Sequence, residues 1–280
     1  MKYLIIGNKG QLGREFQKHF ESIGVVCTGY DIDKLDISIE KDVFDLIASE
    51  KPSVILNCAA YNLVDAAELH QEIAYSVNSN GVKNLCNAAE KNSSSLVHFS
   101  TDYVFDGEKS TGLYLEEDNT NPVNTYGKSK LSGEKIAMEL LNQPLVFRLS
   151  WVFGDGTQNF IYKLQQWAKS NEFLKIVCDE FSVPTSTSSI VEVTLKSLDH
   201  GMHGMYNLTN SGYCSRYEWA RHIFKLLEKD MFIYPSYISE FNLPAKRPKF
   251  SAMSNNKISK ELGIDIMIWE DAVRYFLLKK

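Results

Sequence analysis

Tyr3-Leu-Ile-Ile6 runs without a break into Gly7-Asn-Lys-Gly10-Gln-Leu-Gly13. Four apolar residues, a glycine turn and a helical pattern with Leu12, Phe16 and Phe20 on one side read as strand, turn and helix. Glycine permits the tight turn and lets backbone N–H groups approach a pyrophosphate. The helix N-terminus adds partial positive charge for that anion. The spacing is G-x-x-G-x-x-G rather than G-x-G-x-x-G, and a purely structural glycine turn would share it. The strand before and the helix after favour a dinucleotide site at Gly7, Gly10 and Gly13.

Outward from this stretch the strand–helix pattern repeats. Val25–Cys27 reads as a second strand, Ser53–Leu56 as a third, Leu96–Phe99 as a fourth and Leu145–Phe147 as a further one. Helical patterns lie around 42–48, 74–91 and 125–142. The strands are apolar throughout rather than alternating, as strands buried on both faces are. The expectation is an α/β fold, a doubly wound parallel sheet. Residues 106–124 read as a long loop. Further helices are expected near 158–169, 188–199, 215–229 and 268–278. No Gly/Ser- or Pro-rich linker divides the 280 residues, so the second half is expected to pack on the sheet rather than hang free.

Hydrophobic residues make up 44% and charged residues 23%, which excludes disordered, collagen-like and coiled-coil classes. Thirty Lys and Arg against 35 Asp and Glu give a net charge of −5, with no footprint for nucleic acid. The five cysteines are odd in number and widely spaced, which argues for a reducing compartment and against a disulfide framework or zinc site. The N-terminus lacks the long apolar region of a secretion signal, and no stretch approaches a membrane span. A cytoplasmic protein is expected, with neither nucleic acid nor membrane as partner.

Asp31 follows the second strand at the distance where an acid meets the adenosine ribose. Its carboxylate would accept from a 2′-hydroxyl and repel a 2′-phosphate. Lys9, inside the turn, would attract that phosphate, so both NADH and NADPH stay open. Tyr126 and Lys130 stand i, i+4 at the start of a helix and share one face. An ammonium there is expected to lower the phenol below its usual value near 10, fitting it for proton exchange with a substrate oxygen. Thr101 lies after the fourth strand, at the end where open sheets hold ligands. Its hydroxyl suits a carbonyl oxygen gaining charge.

With these residues in view the chain resembles the dTDP-4-dehydrorhamnose reductase family of extended short-chain dehydrogenases/reductases. The carrying segments are GNKGQLG, NCAAYNLVDAAE at 57–68, STDYVFDG at 100–107 and NPVNTYGKSKLSGE at 121–134. FRLSWVFG at 147–154, DEFSVPTST at 179–187 and KRPKFSAM at 246–253 complete the set. The resemblance implies a Rossmann-type core over 1–150 that binds NAD(P). It implies a smaller C-terminal lobe over 151–280, mainly substrate-binding and interleaved with the core. The implied reaction is hydride reduction of the 4-keto group of a nucleotide-linked 6-deoxy sugar, with the nucleotide sugar as partner. Tyr126 would protonate the alkoxide, Lys130 would hold the nicotinamide ribose and Thr101 would polarise the carbonyl. Gly10, Gln11 and Leu12 would line the pyrophosphate, and Asp31, Asp36 and Ile37 the adenosine end. Ala59, Ala60 and Tyr61 would run beside the nicotinamide half. Asp102, Tyr103, Trp151 and Arg247 would face the substrate, an arginine fork suiting phosphate oxygens.

This chain departs from the family pattern at Asn62, Leu63 and Ser182. No acidic C-terminal extension for a metal-linked dimer is evident, so no metal is expected. A homodimer stays open. His200 and His203 have metal-compatible spacing but no partner set. His98 reads as a packed core histidine. Trp151 could equally be a core aromatic, and Arg247 part of a charged surface loop. Two other functions fit the scaffold: a reductase or epimerase of another keto-sugar, and a regulatory subunit that binds dinucleotide without turnover.

Overall fold

The computed structural model of the chain describes residues 1–279. In chain order the first elements are β1 (Tyr3–Ile6), α1 (Gln11–Ser22), β2 (Cys27–Tyr30), α2 (Glu40–Glu50) and β3 (Val54–Asn57). Then come α3 (Val64–Leu69), α4 (Gln71–Tyr75), a π-helical segment at Ser76–Gly81 and α5 (Val82–Lys91). β4 (Ser95–Thr101), α6 (Thr125–Leu140) and β5 (Leu145–Leu149) close the first half. Beyond it lie α7 (Phe160–Ser170), α8 (Thr187–Asp199), α9 (Arg216–Leu226), α10 (Asn256–Leu262) and α11 (Trp269–Leu278).

β1 to β5 and the strand Gly204–Asn207 form one parallel sheet, in the order 2-1-3-4-5 followed by Gly204–Asn207. The winding direction reverses between β1 and β3, and ligands bind outside the strand ends at such a reversal. Side chains alternate across the sheet, as the two-residue period requires. Tyr3 and Ile5 join Phe16 and Phe20 of α1, Ile190 and Val193 of α8 and Ile258 of α10 in one core. Leu4 and Ile6 join Val43 and Ile47 of α2 and Leu85 of α5 in the other. The expected α/β doubly wound sheet is therefore present, with apolar cores on both faces.

A third apolar core lies away from the sheet. It gathers Trp151, Leu164 of α7, Trp219 and Ile223 of α9 and Trp269 of α11. A parallel strand pair, Phe173–Val177 with Phe232–Ser236, packs Leu174, Ile176 and Ile233 into it. No helix among the described residues is long and apolar enough to cross a membrane.

Three expectations are corrected. The second strand begins at Cys27, not Val25. The Val25 N–H closes the end of α1 on the Phe20 carbonyl at 2.9 Å, and Val26 is 65% exposed. β2 is an edge strand of half-buried residues, so its pattern carries little apolar signal. The helix expected over 74–91 is interrupted by the π-helical turn. The sixth strand, Gly-Met-Tyr-Asn, begins on a glycine at φ +111° and has no apolar run to announce it.

Candidate active site

The glycine turn sits at the reversal between β1 and β3. Gly7 adopts φ +79°, and a Cβ there would stand 2.7 Å from the Ala59 nitrogen. A Cβ on Gly13 would stand 2.3 Å from the Gly7 carbonyl oxygen. Both glycines are required by backbone packing. α1 opens at Gly10 with no side-chain cap and no acidic residue in its first turn. An uncapped helix start beside a side-chain-free turn fits a pyrophosphate. Leu12 packs into the core, and the Gln11 amide oxygen accepts from Asn159 at 3.0 Å. What both bring to a ligand is therefore their backbone.

Asp31 follows β2 beside this turn, where its carboxylate accepts from the Lys9 N–H at 2.8 Å. The Lys9 ammonium lies 2.7 Å from Asp33. Asp36 accepts twice from Ser38, at 2.9 and 2.7 Å. Ile37 is buried, and a Cβ on Gly81 would stand 2.5 Å from its side chain. Ala59, Ala60 and Tyr61 leave β3 as an extended loop. The buried Asn78 of the π-helical turn holds that loop, accepting from the Tyr61 N–H at 2.8 Å and donating to its carbonyl at 3.0 Å. The same amide donates to Ser129 Oγ at 3.0 Å, which ties the loop to α6.

α6 presents Tyr126 and Lys130 from a firmly held start. Asn124 caps it, accepting from the Gly127 N–H at 2.8 Å. Glu68 accepts from the Thr125 N–H and hydroxyl at 2.7 and 3.0 Å. Lys130 is 2% exposed, and its ammonium donates to the Phe99 carbonyl at 2.6 Å. Burial pushes Lys130 down to about 8, opposed by Glu134 and Cys58. Behind it Glu134 takes a bidentate pair from Arg148, at 2.5 and 3.0 Å, and a hydrogen bond from Ser100 at 2.8 Å. All three are buried.

The expected tuning of Tyr126 by Lys130 is not what the structure contains. Burial pushes the Tyr126 phenol up to about 12, hydrogen bonding from Thr101 pulls it back, and the Asp102 charge raises it. The phenol therefore keeps its proton at neutral pH, ready as an acid rather than as a phenolate.

Thr101 caps the short 3-10 turn Asp102–Val104, accepting from the Tyr103 N–H at 3.3 Å and donating to Asp102 Oδ1 at 3.2 Å. Asp102 is 2% exposed. Its Oδ2 accepts from Ser182 at 2.8 Å and Ser251 at 2.5 Å. Burial pushes this carboxyl up to about 6, against the pull of the Ser251, Ser182 and Thr101 hydroxyls and Arg216. Asp102 is thus turned inward, joining β4 to two segments of the second half. Ser182, a departure from the family pattern, supplies one of its hydroxyls. Asn62 and Leu63, the other departures, are exposed at the start of α3.

Trp151 and Arg247 line a cleft of about 430 Å³ together with Phe160, Lys163, Glu180 and Arg216, among others. Tyr103 connects it to Tyr126. Its hydroxyl donates to Glu180 at 3.3 Å, and its ring meets Tyr126 edge-on at 5.8 Å between centroids. Trp151 has φ +36° and stacks on Trp219 at 5.7 Å and 7°. The buried Trp151 indole N–H has no acceptor among the described residues. Arg247 forms a bidentate pair with Asp65 at 2.6 and 2.7 Å, which holds the Asp65 carboxyl below its usual range. His98 is fully buried beside Asn57, 3.1 Å away, and burial keeps its ring neutral. Among the described residues no group of three His, Cys, Asp or Glu side chains is gathered for a metal ion.

Sequence reasoning brings together Thr101, Tyr126 and Lys130 but misses Asn78, Glu68, Glu134 and Arg216. Glu134 carries a signal of its own: it is a polar residue on a helix face that the sheet covers.

The matches with known proteins agree with this geometry. A family model described as RmlD substrate binding domain matches residues 1–280. The dTDP-4-dehydrorhamnose reductase of Aggregatibacter actinomycetemcomitans is 36% identical over 286 residues, 98% of this chain and 97% of its own. The solved dTDP-4-dehydrorhamnose reductase of Clostridium acetobutylicum superposes with a TM-score of 0.94 at 37% identity, over 100% of both chains. That of Bacillus anthracis, solved in complex with NADP, superposes with a TM-score of 0.95 at 31% identity, over 100% of this chain and 99% of its own. Near-complete coverage at this identity shows that the chain belongs to the dTDP-4-dehydrorhamnose reductase family.

Proposed function

We propose that the chain is an NAD(P)H-dependent oxidoreductase that reduces the 4-keto group of a nucleotide-linked 6-deoxy sugar, dTDP-4-dehydrorhamnose, to dTDP-rhamnose. The observation that carries this reading is the contact of Thr101 with Tyr126, with the buried Lys130 one turn further along α6 and an aromatic and cationic cleft reached through Tyr103. The bound nicotinamide supplies a hydride to the carbonyl carbon. The chain's own residues do the rest. Tyr126, protonated at neutral pH, gives its hydroxyl proton to the oxygen as the carbon–oxygen double bond becomes single. Thr101 turns its hydroxyl from Asp102 to that oxygen and stabilises the developing charge. Lys130 has one of its three donors on Phe99 and two left for the nicotinamide ribose.

The cradle at Gly7, Gly10 and Gly13 holds the pyrophosphate against the start of α1, with Gln11 and Leu12 contributing backbone. Asp31 takes the adenosine ribose, and the segment with Asp36 and Ile37 borders the adenine. The loop Ala59–Tyr61, fixed by Asn78, borders the nicotinamide half. The second half of the chain, with Tyr103, Trp151 and Arg247 at its cleft, receives the substrate, and Asp102 fixes that half to β4. The cofactor is NADH or NADPH. Asp31 favours the unphosphorylated ribose, whereas the Bacillus anthracis relative is a complex with NADP.

The test follows loss of reduced-nicotinamide absorbance with purified protein and the keto-sugar generated in situ, with NADH and NADPH supplied separately. Oxidation that yields dTDP-rhamnose is expected. Measurable dinucleotide binding with no oxidation would reject the reaction.

A further inference from the structure

Two arginines line the cleft, and they differ in what their donors already hold. Three of the five N–H donors of Arg247 are committed, two to Asp65 and one to the Ala245 carbonyl at 2.5 Å. That side chain stitches the segment around residue 246 to α3. The side chain of Arg216, the first residue of α9, makes no hydrogen bond among the described residues. Its one ion pair among the described residues is with Glu180 at 3.7 Å, beyond hydrogen-bonding reach. Its guanidinium lies 3.7 Å from the centre of the Trp151 ring, with Phe160 and Trp219 at 5.3 and 5.6 Å.

Stacking engages the flat face of a guanidinium and leaves its edge donors free. Arg216 is thus a planar fork, fixed in direction by aromatic neighbours and with its donors unspent. The cleft around it also carries Lys163 and Lys175, neither ion-paired among the described residues, and Glu180 is the one acid that lines it. Glu180 in turn is shared with the Tyr103 hydroxyl. Such a place is built for a ligand with adjacent negative oxygens.

We propose that Arg216, rather than Arg247, receives the diphosphate of the substrate. The assignment rests on the nucleotide-sugar reading above and deepens it. On binding, the fork leaves the Glu180 carboxylate for phosphate oxygens, while Arg247 stays on Asp65 as a positioning residue. Trp151 then meets the substrate through the guanidinium that covers it, not through a bare ring.

Isothermal titration of the full chain with thymidine diphosphate and with thymidine tests this. Arg216→Gln is expected to weaken the diphosphate about tenfold or more, at the level of one charge-assisted hydrogen bond. Thymidine affinity should stay within about twofold. Arg216→Lys keeps the charge without the fork and should fall between. Unchanged NADPH binding marks each variant as folded, and Arg216→Lys carries the test should Arg216→Gln fail that check. Diphosphate affinity within about twofold of wild type in the Arg216 variants, or a larger diphosphate-specific loss in Arg247→Gln, would overturn the assignment alone. A wild-type chain that binds neither thymidine nor its diphosphate would instead reject the nucleotide-sugar reading, and the assignment with it.

Discussion

On the sheet side of the cleft Lys130, Thr101 and Asn78 each already hold a partner, whereas on the lobe side the Trp151 indole N–H and Arg216 hold no hydrogen bond among the described residues. On the sheet side these side chains are held before any ligand arrives, by neighbours that are themselves buried. That arrangement suits chemistry, because a group held in place loses little freedom at the moment of reaction. The recognising groups keep donors in reserve, and a buried donor without an acceptor gains most when a ligand supplies one. The difference separates fixing a reaction from choosing a molecule.

The comparison can be broken most severely at Tyr126. If it is the acid, Tyr126→Phe lowers kcat by about 10²–10⁴-fold while NADPH affinity, read by fluorescence titration, changes little. Equal losses in both would place Tyr126 on the recognising side. Next in size is the support behind Lys130. Removing Glu134 leaves Arg148 buried and unpaired, so Glu134→Ala should cost about 3–5 kcal/mol of stability in urea unfolding. Replacing both partners with apolar residues should recover much of that loss, which would show that the pair is a matter of placement more than of stability.

The smallest effect sharpens the boundary between the two sides. The Asp102 carboxyl, pushed up to about 6, is the stronger acceptor for Thr101 when ionised. As pH falls through about 6 it gains a proton, Thr101 loses a strong acceptor and kcat/KM should decline. Asp102→Asn cannot titrate, so its profile should lose that acid limb at a lower but flat rate. An acid limb kept by the variant would assign it to another group.

What could be read from the sequence follows from how local each feature is. The turn at Gly7–Gly13 and the pair Tyr126 and Lys130 lie within one or two helical turns of chain, so spacing alone exposes them. Asn78 on Tyr61 and Glu68 on Thr125 join residues 17 and 57 apart, and no period in the sequence records such a pairing. Spacing predicts that Lys130 lowers Tyr126, but Lys130 is turned to the Phe99 carbonyl and burial raises the phenol, and burial is a property of the whole fold. Arg216 starts a charged, amphipathic helix and reads as a solvent-facing residue until Trp151 is placed beneath it. β2 and Gly204–Asn207 were misplaced or missed because edge strands need no apolar run.

The sixth strand also has a bearing on how the chain is made. β5 lies between β4 and a strand that begins at Gly204. The face carrying Phe99, Phe147 and Leu149 is covered in part by Ile190, Val193, Tyr206 and Ile258. A ribosome adding roughly 5–20 residues per second takes about 3–12 s to travel from Leu149 to Asn207. For that interval the nascent protein carries a nearly finished sheet with an open edge and an aromatic face that α1 covers only in part. Chaperone demand should therefore peak late in its synthesis, when most of the cofactor cradle is already folded.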